Sequence, residues 1–198
     1  MATSTYGDLR DKVASWLQRA DLATQVPDFI EFATARLSRE LRVPQMETIA
    51  STTLAAEWTA LPEDFEAIRT IEADGKVLEY KTPFQLQRAI QLNQRPDPPI
   101  YSIQDMQFRV YPFPTATPVE IGYYATIPQM VNNTDTNWLL TKWPDVYLRA
   151  CLLQAREFLH DDPRMQMMET YVNKFIRDAN RAGKQAAVGS GPLAVKVA

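Results

Sequence analysis

The chain has 198 residues, 45% of them hydrophobic, which is enough for one sizeable core or at most two small ones. A formal charge of -3 and an isoelectric point near 5.3 argue against general electrostatic attraction to nucleic acid or anionic lipid. A single cysteine, Cys151, excludes an internal disulfide framework, and no stretch approaches the roughly 20 apolar residues of a membrane span or the order of a signal peptide. A soluble, non-exported chain in a reducing cytoplasm is therefore expected.

From the front, Tyr6, Leu9, Val13, Trp16 and Leu17 recur at helical spacing, with Thr5 and Asp8 placed as an acidic capping box. They predict a helix at about 5–20. After a linker at 21–25, Pro27 and Asp28 open a second helix at about 27–42, because proline suits a first turn and a carboxylate suits the positive end of the helix dipole. Its inward stripe is Ile30, Ala33, Leu37 and Leu41, and Pro44 limits it.

The period then changes, and a β-rich insertion is predicted at about 46–126. Residues 48–54 are rich in β-branched side chains, and 68–72 and 77–80 flank Ala73-Asp74-Gly75-Lys76. An Asp-Gly pair between such runs signals a hairpin, since both central turn residues need positive φ. Leu61-Pro62-Glu63-Asp64-Phe65 reads as a short helical or turn lead-in. Residues 83–92 form a short helix with Phe84, Leu86 and Ile90 inward, ended by Pro96, Pro98 and Pro99. Strands follow at 101–103, 108–111 and 119–123, the last alternating as Val119, Ile121 and Tyr123.

Asn137-Trp138-Leu139-Leu140 and Trp143-Pro144-Asp145 lead into a helical hairpin through tryptophans expected to be buried. Leu148, Leu152, Ala155 and Leu159 stripe a helix at about 144–160. Asp162 caps its partner at about 163–182, striped by Met165, Met168, Val172, Phe175 or Ile176, and Ala179, with Gly183 as its stop. Cys151 lies on the stripe and reads as buried packing. The whole reads as α+β: an N-terminal helix pair and a C-terminal hairpin forming a helical bundle, with an inserted antiparallel β region. Residues 1–183 are expected as one domain and 184–198 as an extended C-terminal arm. That arm has no acidic residue and alternates Leu193, Val195 and Val197. A plain terminus and a segment that adds a strand or docks in a partner's groove are both open readings.

In order and spacing, several segments resemble the head-to-tail adaptor, or connector, proteins that sit beneath the portal ring of tailed bacteriophages. They are Tyr6-Gly7-Asp8-Leu9, Trp16-Leu17-Gln18-Arg19-Ala20-Asp21, Pro27-Asp28-Phe29-Ile30, Arg39-Glu40-Leu41-Arg42, Leu61-Pro62-Glu63-Asp64-Phe65, Pro99-Ile100-Tyr101-Ser102-Ile103 and Thr136-Asn137-Trp138-Leu139-Leu140 leading to Pro144-Asp145-Val146-Tyr147-Leu148. The series spans most of 6–180. Asp105-Met106 departs from it, standing where a glycine-containing turn is expected. The resemblance implies a non-enzymatic virion protein of the neck, assembled from the host cytoplasm, without cofactor or metal. It also implies a ring of twelve copies, a number that comes from the resemblance alone. The ring's partners are then the portal, the tail or nozzle proteins below, and viral DNA passing through the lumen without sequence-specific binding. On this reading the arm, through Leu193, Val195 and Val197, contacts the portal.

Other readings compete with it. A hydrolase has only His160, Asp161 and Asp162 to work with, and these are consecutive, where catalysis wants groups converging from separate elements. A nucleic-acid-binding or other interaction module has Arg36, Arg39 and Arg42 on one helix face, but Arg36 and Glu40 are spaced as an ion pair and the face suits a subunit interface. Trp58, in the polar stretch Glu57-Trp58-Thr59, fits either the core or an intersubunit anchor.

Overall fold

The computed structural model describes residues 3–55, 57–113, 115–159 and 165–189. The fold is α+β, and the chain divides into two compact units, Met1–Gln45 with Thr126–Ala198, and Met46–Ala125.

The first unit holds α1 (Tyr6–Leu17) and α2 (Val26–Glu40). Thr5 caps α1 by accepting from the Asp8 N–H at 3.3 Å, and the Asp8 carboxylate accepts from the Thr5 N–H at 3.2 Å, which completes the capping box. Tyr6, Leu9 and Val13 are buried, but Trp16, expected on that stripe, is exposed. The helix ends one residue later, at Leu17, with Gln18 in the left-handed conformation. On α2, Ile30, Ala33 and Leu37 are buried as predicted, together with Leu41 just beyond its end.

In the same unit Asn137 caps the short α4 (Trp138–Lys142), accepting from the Leu140 N–H at 2.9 Å. Next comes α5 (Pro144–Leu159), and then α6 (Met165–Gly189). Helix α5 is buried on nearly every side, at Val146, Tyr147, Leu148, Ala150, Cys151, Leu152, Leu153 and Ala155. It packs against α1, α2, α4 and α6, as a helix apolar over most of its surface must. Val172 and Ile176 of α6 are buried, as their spacing predicts.

Gly183 does not stop α6, which runs on to Gly189. A Cβ at this position lies 2.9 Å from the Arg42 carbonyl oxygen and 3.4 Å from Pro44 Cδ. The glycine is therefore there for close approach of backbone to helix, and its chain-terminating conformation is not used.

The second unit is two four-stranded sheets and one helix. Its first sheet has the order β1 (Glu47–Thr53), β8 (Pro118–Ala125), β3 (Phe65–Ala73), β4 (Lys76–Val77), antiparallel throughout. Its second has the order β2 (Thr59–Ala60), β7 (Gln107–Tyr111), β6 (Ile100–Gln104), β5 (Glu79–Tyr80), in which β5 and β6 run parallel. Ile71, Ala73, Val119, Ile121 and Tyr123 from the first sheet share one core with Tyr101 and Phe108 from the second.

The Asp74-Gly75 turn joins β3 to β4 with both residues at positive φ, 52° and 70°. Asp105-Met106 makes the same kind of turn between β6 and β7, at 48° and 57°, without any glycine. Helix α3 (Pro83–Gln91) has a Thr82–Gln85 capping box and buries Leu86 and Ala89 against Ile100. Phe84, predicted inward, is 75% exposed. It lies two residues from Leu86, roughly 200° around the helix, so the two cannot share a face.

Candidate interaction surfaces

The three arginines singled out on α2 and its end do not share one role. Arg36 Nε donates to Glu40 Oε1 at 3.1 Å, as the i, i+4 spacing anticipates, and its Nη2 donates to Asn173 Oδ1 at 3.0 Å. Its Nη1 also lies 4.0 Å from Glu157. This guanidinium ties α2 to α5 and α6 inside the unit. Arg42 Nη1 donates to the carbonyls of Ser38, at 3.0 Å, and Leu41. Only Arg39 is exposed.

Trp58 is half-buried. Before it, Glu57 pairs with Arg109 of β7 at 2.9 Å, and after it the Thr59 hydroxyl accepts from the Ala55 N–H at 2.9 Å. Both contacts pin the loop that presents the indole. Trp138 and Trp143, expected to be buried, are half-buried as well. They meet edge-on at 6.0 Å, Trp143 meets Phe175 of α6 at 5.1 Å, and the Lys142 ammonium sits 4.8 Å from the Trp143 ring. Leu193, Val195, Val197, His160, Asp161 and Asp162 lie outside the described residues.

The ionisable groups are arranged for packing. Burial pushes the Cys151 thiol well above its usual range, away from the thiolate that nucleophilic chemistry needs. Tyr147 is likewise raised by burial. Thr34 Oγ1 donates to the Ile30 carbonyl at 2.7 Å, so the Tyr147 hydroxyl donates to Thr34 in turn. Tyr123 is pushed up to about 12 by burial first and then by its hydrogen bond to Asp64 Oδ1, at 2.8 Å. Asp135 is held below the usual carboxylate range because it accepts from the Asn132 and Val131 N–H groups. Among the described residues no cluster of His, Cys, Asp or Glu could hold a metal ion.

Residues 4–196 match the family model described as SU10 adaptor protein. The chain belongs to that family. Membership covers nearly the whole sequence and makes it a bacteriophage adaptor, a structural protein of the phage neck. No curated protein matches the chain. No helix among the described residues of this SU10 adaptor is long and apolar enough to cross a membrane.

Sequence reasoning about this adaptor missed two surfaces. One is the outer side of α3, where Phe84 and Leu92 stand exposed beside Gln87, Arg88 and Gln91 around a cavity of about 510 Å³. Helical angles alone could have found it. The other is on the first sheet, where Glu72 and Glu120 sit directly opposite each other and both are exposed. Like charges in that position are destabilising. A cavity of about 390 Å³ runs from Ser51 past Pro118, Val119 and Glu120 to Glu72, Asp74 and Gly75. No signal in the sequence pairs residues 72 and 120, since only the strand register brings them together.

Proposed function

We propose that this chain is one subunit of an oligomeric ring that joins the portal to the tail and extends the DNA channel for genome retention and ejection. The observation that carries this reading is the family match across residues 4–196. The burial of Cys151 and the packing roles of the shifted tyrosines support a non-enzymatic part. Twelve copies, matching the portal, follow from family resemblance. DNA passes the lumen without sequence-specific contact, and a net charge of -3 gives the chain no general electrostatic attraction to it.

Within the ring, Arg39 and Trp58 are the subunit-contact residues, since Arg36 and Arg42 direct their guanidinium groups into their own unit. Tryptophan and arginine are enriched at binding hot spots. The family resemblance gives Leu193, Val195 and Val197 of the C-terminal segment to the portal.

Negative-stain microscopy tests the proposal. The purified chain mixed with the portal of its own virus is expected to add a layer of matching symmetry beneath the portal. Bare portals beside unassociated chain overturn it. Trp58→Ala and Arg39→Ala are expected to leave a folded protein that fails to enter the layer.

A further inference from the structure

The two sheets of the second unit have four edge strands, and three of them, β2, β4 and β5, are only two residues long. Short edges are one of the ways proteins stop unwanted strand pairing. The fourth edge, β1, is seven residues long, with the sequence ETIASTT. It contains no glycine, proline or lysine, and it pairs with β8 in unbroken register from Glu47↔Tyr124 to Thr53↔Pro118. The neighbouring ladder, β3 with β8, carries two register shifts. Ile49 is 73% exposed and faces Gly122, which has no side chain to cover it. Among the described residues one long, β-branched edge without a bulge is therefore left open where every other edge is blunted, and the backbone groups along it are available to an extended partner.

Resting on the ring reading above, and in place of the portal contact that the resemblance gives these residues, we infer that β1 is a strand acceptor and that its occupant is residues 193–197 of a second copy of this chain. Leu-Ala-Val-Lys-Val alternates with the period of a strand, so its apolar residues take one face and Lys196 the other. With the segment antiparallel to β1 and Lys196 set opposite Ser51, Val195 falls beside Thr52 and Val197 beside Ala50, the two half-buried residues of β1. Lys196 then projects over the cavity lined by Glu72, Asp74 and Glu120, and its ammonium offsets the like-charge pair across β3 and β8. The segment from 184 onward carries no acid to oppose this. Each copy has one donor and one acceptor, so the contact is heterologous and propagates from copy to copy. Pairing of β1 with another β1 would close at two copies.

The test is disulfide trapping in the full chain, with Ser51→Cys in one preparation and Lys196→Cys in another, mixed and mildly oxidised both free and on portal rings. The buried native Cys151 stays in place. The expected product is a linked pair of chains joining the two new cysteines, absent when Lys76→Cys on the blunted β4 replaces Ser51→Cys. In a separate pair of preparations that keep Ser51 and Lys196, Lys196→Glu in the donor copies and Glu120→Lys in the acceptor copies are read by trapping Ala194→Cys against Thr53→Cys. Lys196→Glu alone is expected to lower the yield about twofold to fivefold, and adding Glu120→Lys to restore it. In a chain carrying both Ser51→Cys and Lys196→Cys, a disulfide formed within one chain overturns the second-copy assignment, and equal linking to position 76 overturns it also. Rings that form on the portal with residue 196 linked to the portal, or to nothing, overturn the inference while leaving the adaptor reading intact. Failure to form rings at all removes both.

Discussion

Asn180 of α6 holds the end of α2 with both halves of its amide: Oδ1 accepts from the Arg42 N–H at 2.6 Å, and Nδ2 donates to the Glu40 carbonyl at 2.8 Å. The last carbonyls of a helix have no partner within it, and here a side chain from another helix supplies one. Asn180→Ala removes both bonds and is expected to cost about 1–3 kcal/mol, read as a lower urea midpoint at unchanged slope. Asn180→Asp keeps the acceptor but sets a carboxylate oxygen against the Glu40 carbonyl at the negative end of α2, so it is expected to cost at least as much as Asn180→Ala. No difference between Asn180→Ala and the parent would mean that solvent satisfies these groups equally well.

Gly183 separates helix propensity from packing. In an exposed helix interior, glycine to alanine stabilises by about 1 kcal/mol. Here the added Cβ sits 2.9 Å from a backbone carbonyl, which cannot rotate away as a side chain can. Gly183→Ala is expected to destabilise by about 1–3 kcal/mol, as overpacking does, and a rise in Tm would refute the close approach.

The Asp105-Met106 turn makes the opposite prediction. Met106 has φ 57° and is exposed, and a left-handed residue with a Cβ costs roughly 1–2 kcal/mol that glycine avoids. Glycine also loses more chain entropy on folding, so Met106→Gly is expected to stabilise by about 0.5–1 kcal/mol net. Thermal unfolding of the pair of proteins measures it. The equivalent exchange at the other hairpin, Gly75→Met, is expected to destabilise, because φ there is 70°.

Tyrosine titration gives a pH dependence with a definite sign. Tyr123 is raised to about 12 in the folded chain, and Tyr6, Tyr101 and Tyr147 are raised as well, each chiefly by burial. A phenol harder to ionise when folded contributes stability that is fully present below its unfolded pKa of about 10 and is lost as pH rises from there through its folded value. Tm is therefore expected to fall between about pH 10 and 12, and Tyr123→Phe to flatten part of that fall. Tyrosinate absorbance of the native protein is expected to develop later than that of the unfolded chain. Coincident curves would contradict the burial of these hydroxyls.

Much of the local structure was legible because its causes are local. The Thr5–Asp8 capping box, the proline starts of α2 and α5, the Asp74-Gly75 turn and the buried stripe of α2 each depend on residues within a few positions of one another. Periodicity also marked Cys151 as packing and not chemistry. The errors came where a residue's meaning depended on something distant. Phe84 and Trp16 fall inward on a count of apolar residues, but which helical face is covered depends on elements distant in sequence. Gly183 looked like a helix stop because its neighbour, the Arg42 carbonyl, is about 140 positions away.

The residues of this chain by themselves determined its class and its capped helices and hairpin turns, because propensity, capping and turn chemistry act over one turn of chain, and the order and spacing of its segments determined its place among the adaptors. Tertiary structure alone decided that Arg36 points into its own unit, that Glu72 meets Glu120, and that among the described residues β1 is the one long edge strand. Those facts depend on strand order and on which helix lies across which. Such pairings are set by burial of the shared core, a property of the whole fold that no short stretch of sequence contains.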